Sequence, residues 1–559
     1  MKTNRREFFR LAGAGAAGLT ISSPLVLNGC IAPVKKQEDE GQVLFIDDNI
    51  AVADTQYGKV KGFTLRGIHQ FRGIPYGADT SGANRFMAPK KPDPWKDTFP
   101  AIWWGNSAPQ IMENRYVNAF ASFRDHWNYD DVSENCLRLN IWTPGINDGK
   151  KRPVLVWLHG GGFVNGNAIE QDGYMGENLS RFGDIVFCSL NHRLGPMGYS
   201  NLAGAGGEKY AASANAGMLD IVAALEWVRD HIAGFGGDPA NVTIIGQSGG
   251  GVKVTTLTAM PSAKGLVHKA IVLSGAALRA GDKEYSLKLG SYILKEAGLK
   301  PKEIDKLQQM PWMDYYMIAN KAAKKLMDES GPGEGMMRRG YNPVPDGTFL
   351  PRDPYYPEPT PMAADIPMMI CSTFNEFTPM DPALDNITLD EVKEKLKQRF
   401  GFLPGLGDKS GEVVDAYARV FQGKKPVEIM SLVISNRKNT VALADAKAKQ
   451  PAPVYVAWFG WQPPLFDSRI RAFHCLDICF WFYNTDLMLT HTGGGARPRS
   501  LSDKMARSLV QFMKTGSPNG GGLPDWPKYT NANGETMVLD DVPAMKNDPD
   551  REARLSLPG

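Results

Sequence analysis

Short apolar, β-branched runs recur along the chain with helical patterns between them: Val154 to Leu158, Ile185 to Leu190, Val242 to Ile245, Ala270 to Leu273, Pro367 to Ile370 and Val454 to Phe459. Such runs suit strands buried on both faces, and their alternation with helices predicts a mainly parallel sheet covered by helices. Asn215 to Ile232 shows the covering type, with Leu219, Val222, Ala223, Leu225, Val228 and Ile232 spaced to form one apolar face. Gly236-Gly-Asp-Pro239 then breaks the pattern before the next strand. Lys283 to Ser330 and Thr388 to Phe421 are helical and rich in Lys and Glu, which predicts outer helices or a cap over the sheet's carboxyl edge. Near the end, Ser502 followed by Ala506, Leu509, Val510 and Met513, and closed by Gly516, predicts a capped terminal helix. With no internal repeat and no long low-complexity linker, one large domain is expected over residues 46–555.

The first thirty residues read differently. Lys2 and Arg5-Arg6 precede Phe8-Phe9 and a weakly apolar Ala/Gly tract from Leu11 to Leu27, the pattern of an export signal. Paired arginines before the two Phe resemble a twin-arginine signal, used by proteins that fold before crossing the bacterial inner membrane. Leu27-Asn-Gly-Cys30 resembles a lipobox with an unusual Asn28, so either lipidation of Cys30 or simple cleavage follows, leaving a periplasmic, lipid-anchored or secreted product. Residues 31–45, with Lys35-Lys36 and Glu38-Asp-Glu40, are expected to be a flexible tether. No later stretch offers about eighteen uncharged apolar residues, so a lipid on Cys30 is the membrane link expected.

Composition narrows the partners. A formal charge of +3, with 22% charged and 43% hydrophobic residues, supplies no electrostatic reason to expect nucleic acid. Six cysteines spread over 559 residues do not make a disulfide scaffold. Cys188 and Cys371 lie in apolar runs and are expected as buried thiols. Cys475 and Cys479 are spaced to share one helical face, but no clustered Cys or His accompanies them to complete a zinc site.

The chemistry centres on Asn241-Val-Thr-Ile-Ile-Gly-Gln-Ser-Gly-Gly-Gly251, where Gly246-x-Ser248-x-Gly250 fits a sharp strand-to-helix turn that exposes a serine. With 59 Gly in the chain, any serine has a roughly one per cent chance of being so flanked, so context has to decide. A serine nucleophile needs a base, and the base an orienting acid. In the chain order serine, acid, histidine of α/β-hydrolases, only His474 and His491 lie far enough downstream. His474 follows the run Val454 to Phe459 and is favoured; His491 precedes Gly493-Gly-Gly495, where a surface loop is expected. The acid should close a strand, and Glu376 follows the strand-like Pro367 to Phe374, whereas Asp346, Asp381 and Asp385 suit turns and Asp477 has the wrong order. His159-Gly-Gly-Gly-Phe163 directly after Val154 to Leu158 supplies backbone donors for an oxyanion, assigned to Gly161 and Gly162 together with Gly249.

By these residues the chain resembles the type B carboxylesterase family, which includes bacterial para-nitrobenzyl esterases and the cholinesterases, from about Gly58 to Asp540. Supporting stretches are Phe71-Arg-Gly-Ile-Pro-Tyr76, Ser133-Glu-Asn-Cys-Leu-Arg-Leu-Asn140, Asn191-His-Arg-Leu-Gly195, Phe235-Gly-Gly-Asp-Pro-Ala-Asn-Val242 and Thr515-Gly-Ser-Pro-Asn519. The resemblance implies an α/β-hydrolase fold with a helical and loop cap over a gorge. It places nucleophile, acid and base on Ser248, Glu376 and His474, and implies a small-molecule ester substrate with neither metal nor organic cofactor. It also raises the contrary class, since the family contains adhesion proteins that kept the fold and lost the triad; here all three residues and the glycine donors are present. Amide, lactone or acyl-transfer chemistry would use the same machinery.

Departures from the family pattern are Gln247 in place of the frequent Glu, Asn135 in place of Asp, and Cys475 in place of a small residue beside the base, where it is expected to crowd the loop. Gln247 and Gly249 together imply a less acidic and roomier turn around the serine. Animal members pair the cysteine at Cys136, but no Cys lies between Cys30 and Cys136, so an unpaired thiol is expected. For the pocket, Trp127, Phe163 and Gln247 are candidates. Trp127-Asn128 sits one residue off the spacing of a Trp-Asn pair in cholinesterases, which would suit a cationic substrate; loop aromatics more commonly serve packing.

Overall fold

A computed structural model describes residues 41–111, 131–331, 338–377, 379, 381–398 and 405–558. The signal and most of the tether therefore lie outside the described residues, as does Trp127. Twelve strands form the main sheet: β1 (Leu44–Phe45), β2 (Phe63–Leu65), β3 (Ile68–Pro75), β4 (Arg138–Thr143), β5 (Arg152–Leu158), β6 (Val186–Leu190), β7 (Gly237–Gln247), β8 (Lys269–Leu273), β9 (Met368–Thr373), β10 (Val454–Phe459), β11 (Glu535–Leu539) and β12 (Ala544–Asn547). Their spatial order is β1-β2-β3-β4-β6-β5-β7-β8-β9-β10-β11-β12. From β6 through β11 every neighbouring pair is parallel, while the edges are antiparallel.

All six predicted runs are strands of this parallel centre. Every residue of β5, β6, β9 and β10 is buried, because helices cover both faces and leave no polar side to alternate with. Alternation still sorts the side chains: Val154, Val156 and Leu158 join the core on one face, while Leu155 and Trp157 join the core on the other.

The covering helix α1 (Ala216–His231) agrees with its predicted span to within a residue at each end, but burial extends well beyond one face. Met218, Asp220, Ile221, Ala224 and Trp227 are buried as well as Leu219, Val222, Leu225 and Val228. Asp220 is admitted to the interior because Arg193, itself 1% exposed, donates to it through Nε and Nη2 at 2.8 and 2.6 Å.

Gly236, with φ of 74°, ends the turn after α1 and lets β7 start. β7 runs between β5 and β8, with Gly246 opposite Leu158 and Gln247 opposite Leu273. Helix α2 (Gly249–Leu257) follows at once. The charged outer segments are helical as expected, in α3 (Lys283–Glu296), α4 (Trp312–Ser330), α5 (Leu389–Lys397) and α6 (Ser410–Val420).

Two local expectations are corrected. The helix closed by Gly516 is α7 (Ala496–Thr515), which starts six residues before Ser502. Ser502 is therefore no cap; it is buried within the helix and donates to the Phe480 carbonyl at 2.9 Å. A short helix, Arg551–Leu555, also follows it, so α7 is not terminal. Cys475 and Cys479 share no helix either: Cys475 is in a left-handed turn with φ of 75° and Cys479 is in the separate turn Ile478–Trp481. Cys136, Cys188 and Cys371 are buried free thiols. Among the described residues no helix is long and apolar enough to cross a membrane.

Candidate active site

The carboxyl ends of β5, β7 and β9 bring the site together. Ser248 takes the step between β7 and α2 at φ of 57° and ψ of −123°, a strained conformation for a side chain. The flanking glycines make that step possible. A Cβ on Gly246 would lie 2.3 Å from the Gly250 carbonyl group, and one on Gly250 would lie 2.0 Å from the Leu158 oxygen. The turn is anchored by the Ser248 N–H, which donates to Leu273 at 2.8 Å.

Residues 160–162 lie directly over this turn. The exposed Gly161 and Gly162 have φ of 79° and 62°, and the Gly161 carbonyl accepts from the N–H groups of Val164 and Asn165. A Cβ on Gly249 would fall 2.2 Å from the Gly162 oxygen, so the three predicted oxyanion donors belong to touching backbones. The roomier turn expected from Gly249 is thereby corrected, because Gly162's backbone occupies the space a methyl group would need.

Glu376 follows β9 and is buried. One carboxylate oxygen accepts from the Thr373 N–H at 3.0 Å, and the other is 2.5 Å from His474 Nδ1. Backbone pairing between the two loops sets this contact: Asn375 N–H donates to Ala472 at 3.0 Å and His474 N–H to the Glu376 carbonyl at 3.3 Å. Neither Asn375 nor Ala472 was identifiable from sequence, since the signal is a bridge between segments almost a hundred residues apart. His474 also stacks on the Phe377 ring, at 5.8 Å between centroids.

With Nδ1–H committed to the carboxylate, His474 Nε2 carries the lone pair, and the Gln247 side-chain amide donates to it at 3.0 Å. Among the described residues the Ser248 hydroxyl has no hydrogen-bond partner. Gln247 is 1% exposed, so its nearest role is to hold the imidazole. Phe163 packs in the core edge-on against Tyr199 at 5.1 Å and offers a substrate little surface.

The rival residues take other places. Asp346 Oδ1 accepts three backbone N–H groups, from Thr348, Phe349 and Leu350, and Asp381 caps a turn through Ala383, both as turn formers. Asp385 instead pairs with Arg469 at 2.6 Å. His491 is not on a surface loop; it is 1% exposed and packs edge-on against Phe473. The glycines after it end a short helix, Leu489–Thr492, of which His491 and Thr492 are buried. Asp477 is fully buried and accepts from Trp481 Nε1; burial first, and the nearby Glu376 charge second, push its carboxyl up to about 7.

A sequence model described as the carboxylesterase family matches residues 49–555. The chain is 35% identical to the para-nitrobenzyl esterase of Bacillus subtilis over 515 residues, covering 90% of this chain and 98% of that one. It is 31% identical to the phenmedipham hydrolase of Pseudarthrobacter oxydans over 504 residues, covering 88% and 95% of the two chains. Among solved structures, an esterase from Clostridium hathewayi that can hydrolyze aliphatic aromatic polyesters superposes with a TM-score of 0.78 at 34% identity, covering 92% of this chain and 99% of that one.

Proposed function

The chain belongs to the carboxylesterase family, with its α/β-hydrolase fold, and hydrolyses carboxylic esters; we propose that it does so through an acyl-enzyme on Ser248. His474 Nε2 takes the Ser248 proton as Oγ attacks the ester carbonyl. The oxyanion so formed receives N–H groups from Gly161, Gly162 and Gly249. His474 then returns the proton to the leaving alcohol, and Glu376 stabilises the imidazolium in between. Water, deprotonated by the same imidazole, releases the acid and restores the serine. The observation that carries this reading is the Glu376 to His474 Nδ1 contact at 2.5 Å beside a serine held in a strained turn. For Oγ to lose its proton, Nε2 must exchange the Gln247 amide for the Ser248 hydroxyl as its partner.

The expected test is a p-nitrophenyl ester panel varying acyl length, together with labelling by an organophosphate. The phosphorus label is expected on Ser248 alone, with activity lost in proportion; full activity in a labelled enzyme, or a label elsewhere, would reject the assignment. An ester carrying an aromatic group is the substrate class suggested by the names of two similar proteins, a para-nitrobenzyl esterase and an esterase that can hydrolyze aliphatic aromatic polyesters.

The organisation proposed for the whole chain is an export signal over 1–30, a tether over 31–45 and the catalytic domain over 46–555. Arg5-Arg6 before Phe8-Phe9, with Leu27 to Cys30 behind, supports twin-arginine export and a product that is periplasmic or lipid-anchored. Replacing Arg5-Arg6 by two lysines is expected to leave precursor in the cytoplasm of a bacterial host, measured by fractionation; unchanged export would remove the twin-arginine reading.

A further inference from the structure

A buried cation lies under the oxyanion loop, unused by the chemistry above. Lys253 is in the second turn of α2, five residues after Ser248, and is fully buried. Its Nζ donates to the His159 carbonyl at 2.9 Å, the point where β5 ends and the glycine loop begins. The loop's other anchors are neutral: Val164 and Asn165 N–H on the Gly161 oxygen, and Gly195 N–H on the Phe163 oxygen at 2.7 Å.

Around the ammonium are the Phe163 ring, 5.7 Å from Nζ to its centroid, and three titratable groups. These are His159 from the loop after β5, His192 from the loop after β6, and Glu170 from the chain following the glycine loop. The two imidazoles stack at 5.0 Å. Each donates Nδ1–H to a backbone carbonyl, His159 to Gly160 and His192 to Arg193, both at 2.9 Å. Burial, and next the Lys253 charge, hold both well below the usual histidine range, so they stay neutral.

We propose that Lys253 is a positioning residue for the oxyanion hole: held on the His159 carbonyl from beneath, it fixes the turn from which Gly161 and Gly162 present their N–H groups to the Ser248 adduct. This rests on the acyl-enzyme reading. The physical case is the choice of donor. A hydroxyl or amide would satisfy the same carbonyl at far smaller desolvation cost than an ammonium sealed from water. An ammonium adds positive potential behind the loop that receives the oxyanion's developing negative charge. Burial, opposed by Glu170, brings the Lys253 amine down to about 7, so the charge comes and goes near neutrality.

Two variants test this, Lys253→Met, which removes donor and charge but keeps the stem, and Lys253→Gln, which keeps a neutral donor. Rates are taken per active site, counted by the stoichiometric release of p-nitrophenolate as diethyl p-nitrophenyl phosphate phosphorylates the serine. Lys253→Met is expected to lower kcat about 10- to 100-fold with KM within about threefold, less than the loss of a whole oxyanion donor. Its Tm should equal or exceed that of the wild type, since a folded-state amine pKa below the unfolded value costs stability at acid pH. That cost is complete below about 7 and fades as pH rises towards the unfolded lysine value, so the variant's Tm advantage should fade likewise.

The pH readout separates positioning by a charge from simple packing. The ratio of wild-type to Lys253→Gln kcat should be largest near pH 6 and shrink towards pH 9 as the ammonium deprotonates. A pH-independent ratio, or Lys253→Met turning over within twofold of wild type per site, would overturn the proposal. So would a kcat loss accompanied by a matching loss of Tm. If Lys253→Met does not fold, the Lys253→Gln ratio alone decides. A wild type without a p-nitrophenolate burst would instead reject the acyl-enzyme reading and leave Lys253 aside.

Discussion

Ser248→Ala is expected to lower kcat/KM on p-nitrophenyl butyrate by about 10⁵-fold, roughly 7 kcal/mol of transition-state stabilisation. Without Oγ there is nothing for His474 to deprotonate and nothing to acylate. Residual turnover would come from water alone in a pocket still lined by oxyanion donors, and such residual catalysis is small. The fold should not change. The anchors of the turn are backbone groups, Ser248 N–H to Leu273 and Val252 N–H to the Ser248 carbonyl, and alanine keeps both. The φ of 57° at this position strains alanine as it strains serine, so Tm should move by no more than a degree or two. Circular dichroism and thermal melting check the fold, and turnover with a mass-spectrometric test for an acyl adduct checks the chemistry. Activity above one per cent of wild type in a clean preparation would be incompatible with Ser248 as nucleophile.

Glu376→Gln is the next largest, with kcat expected to fall about 10⁴-fold while KM changes by a few-fold. The carboxylate accepts from His474 Nδ1 at 2.5 Å and from the Thr373 N–H at 3.0 Å, which leaves Nε2 free of a proton and able to act as a base. A glutamine amide can satisfy Thr373 with its oxygen only by turning its NH₂ towards Nδ1. The imidazole must then give up its Nδ1 proton and carry it on Nε2, the nitrogen that should receive the serine's. Removing the charge also removes the partner of the imidazolium that forms during attack. Little steric change is involved, so a stopped-flow measurement of the acylation burst isolates the effect from binding. A kcat within a hundredfold of wild type would show that Glu376 does not orient the base.

The parallel centre of the sheet was legible because its strands are buried on both faces and read as unbroken apolar runs. The antiparallel margins, β1 to β4 and β11 to β12, were not. The outermost of them, Leu44–Phe45 and Ala544–Asn547, have no buried residue, and such segments become strands only because a neighbour offers hydrogen bonds. His491 differs from expectation for a related reason: three glycines suggest a surface loop, yet here they end a short helix whose His491 turns inward against Phe473. Ser502 looked like a cap because it precedes an apolar period, whereas the helix continues backwards through Pro498 to Ala496.

The glycine-flanked turn and the glycine run after β5 are properties of local sequence. Each depends on residues a few positions apart: small side chains where the backbone folds tightly, and apolar runs that carry the turn to the sheet's edge. Which atoms meet is a tertiary matter. Pairing of Asn375 with Ala472 and of His474 with Glu376 brings base to acid. Contact of Gly249 with Gly162 gathers the oxyanion donors, and the seating of Lys253 under His159 puts a charge behind them. These contacts join segments separated by almost a hundred residues, and their geometry is set by strand register and loop packing, which no short stretch of sequence specifies.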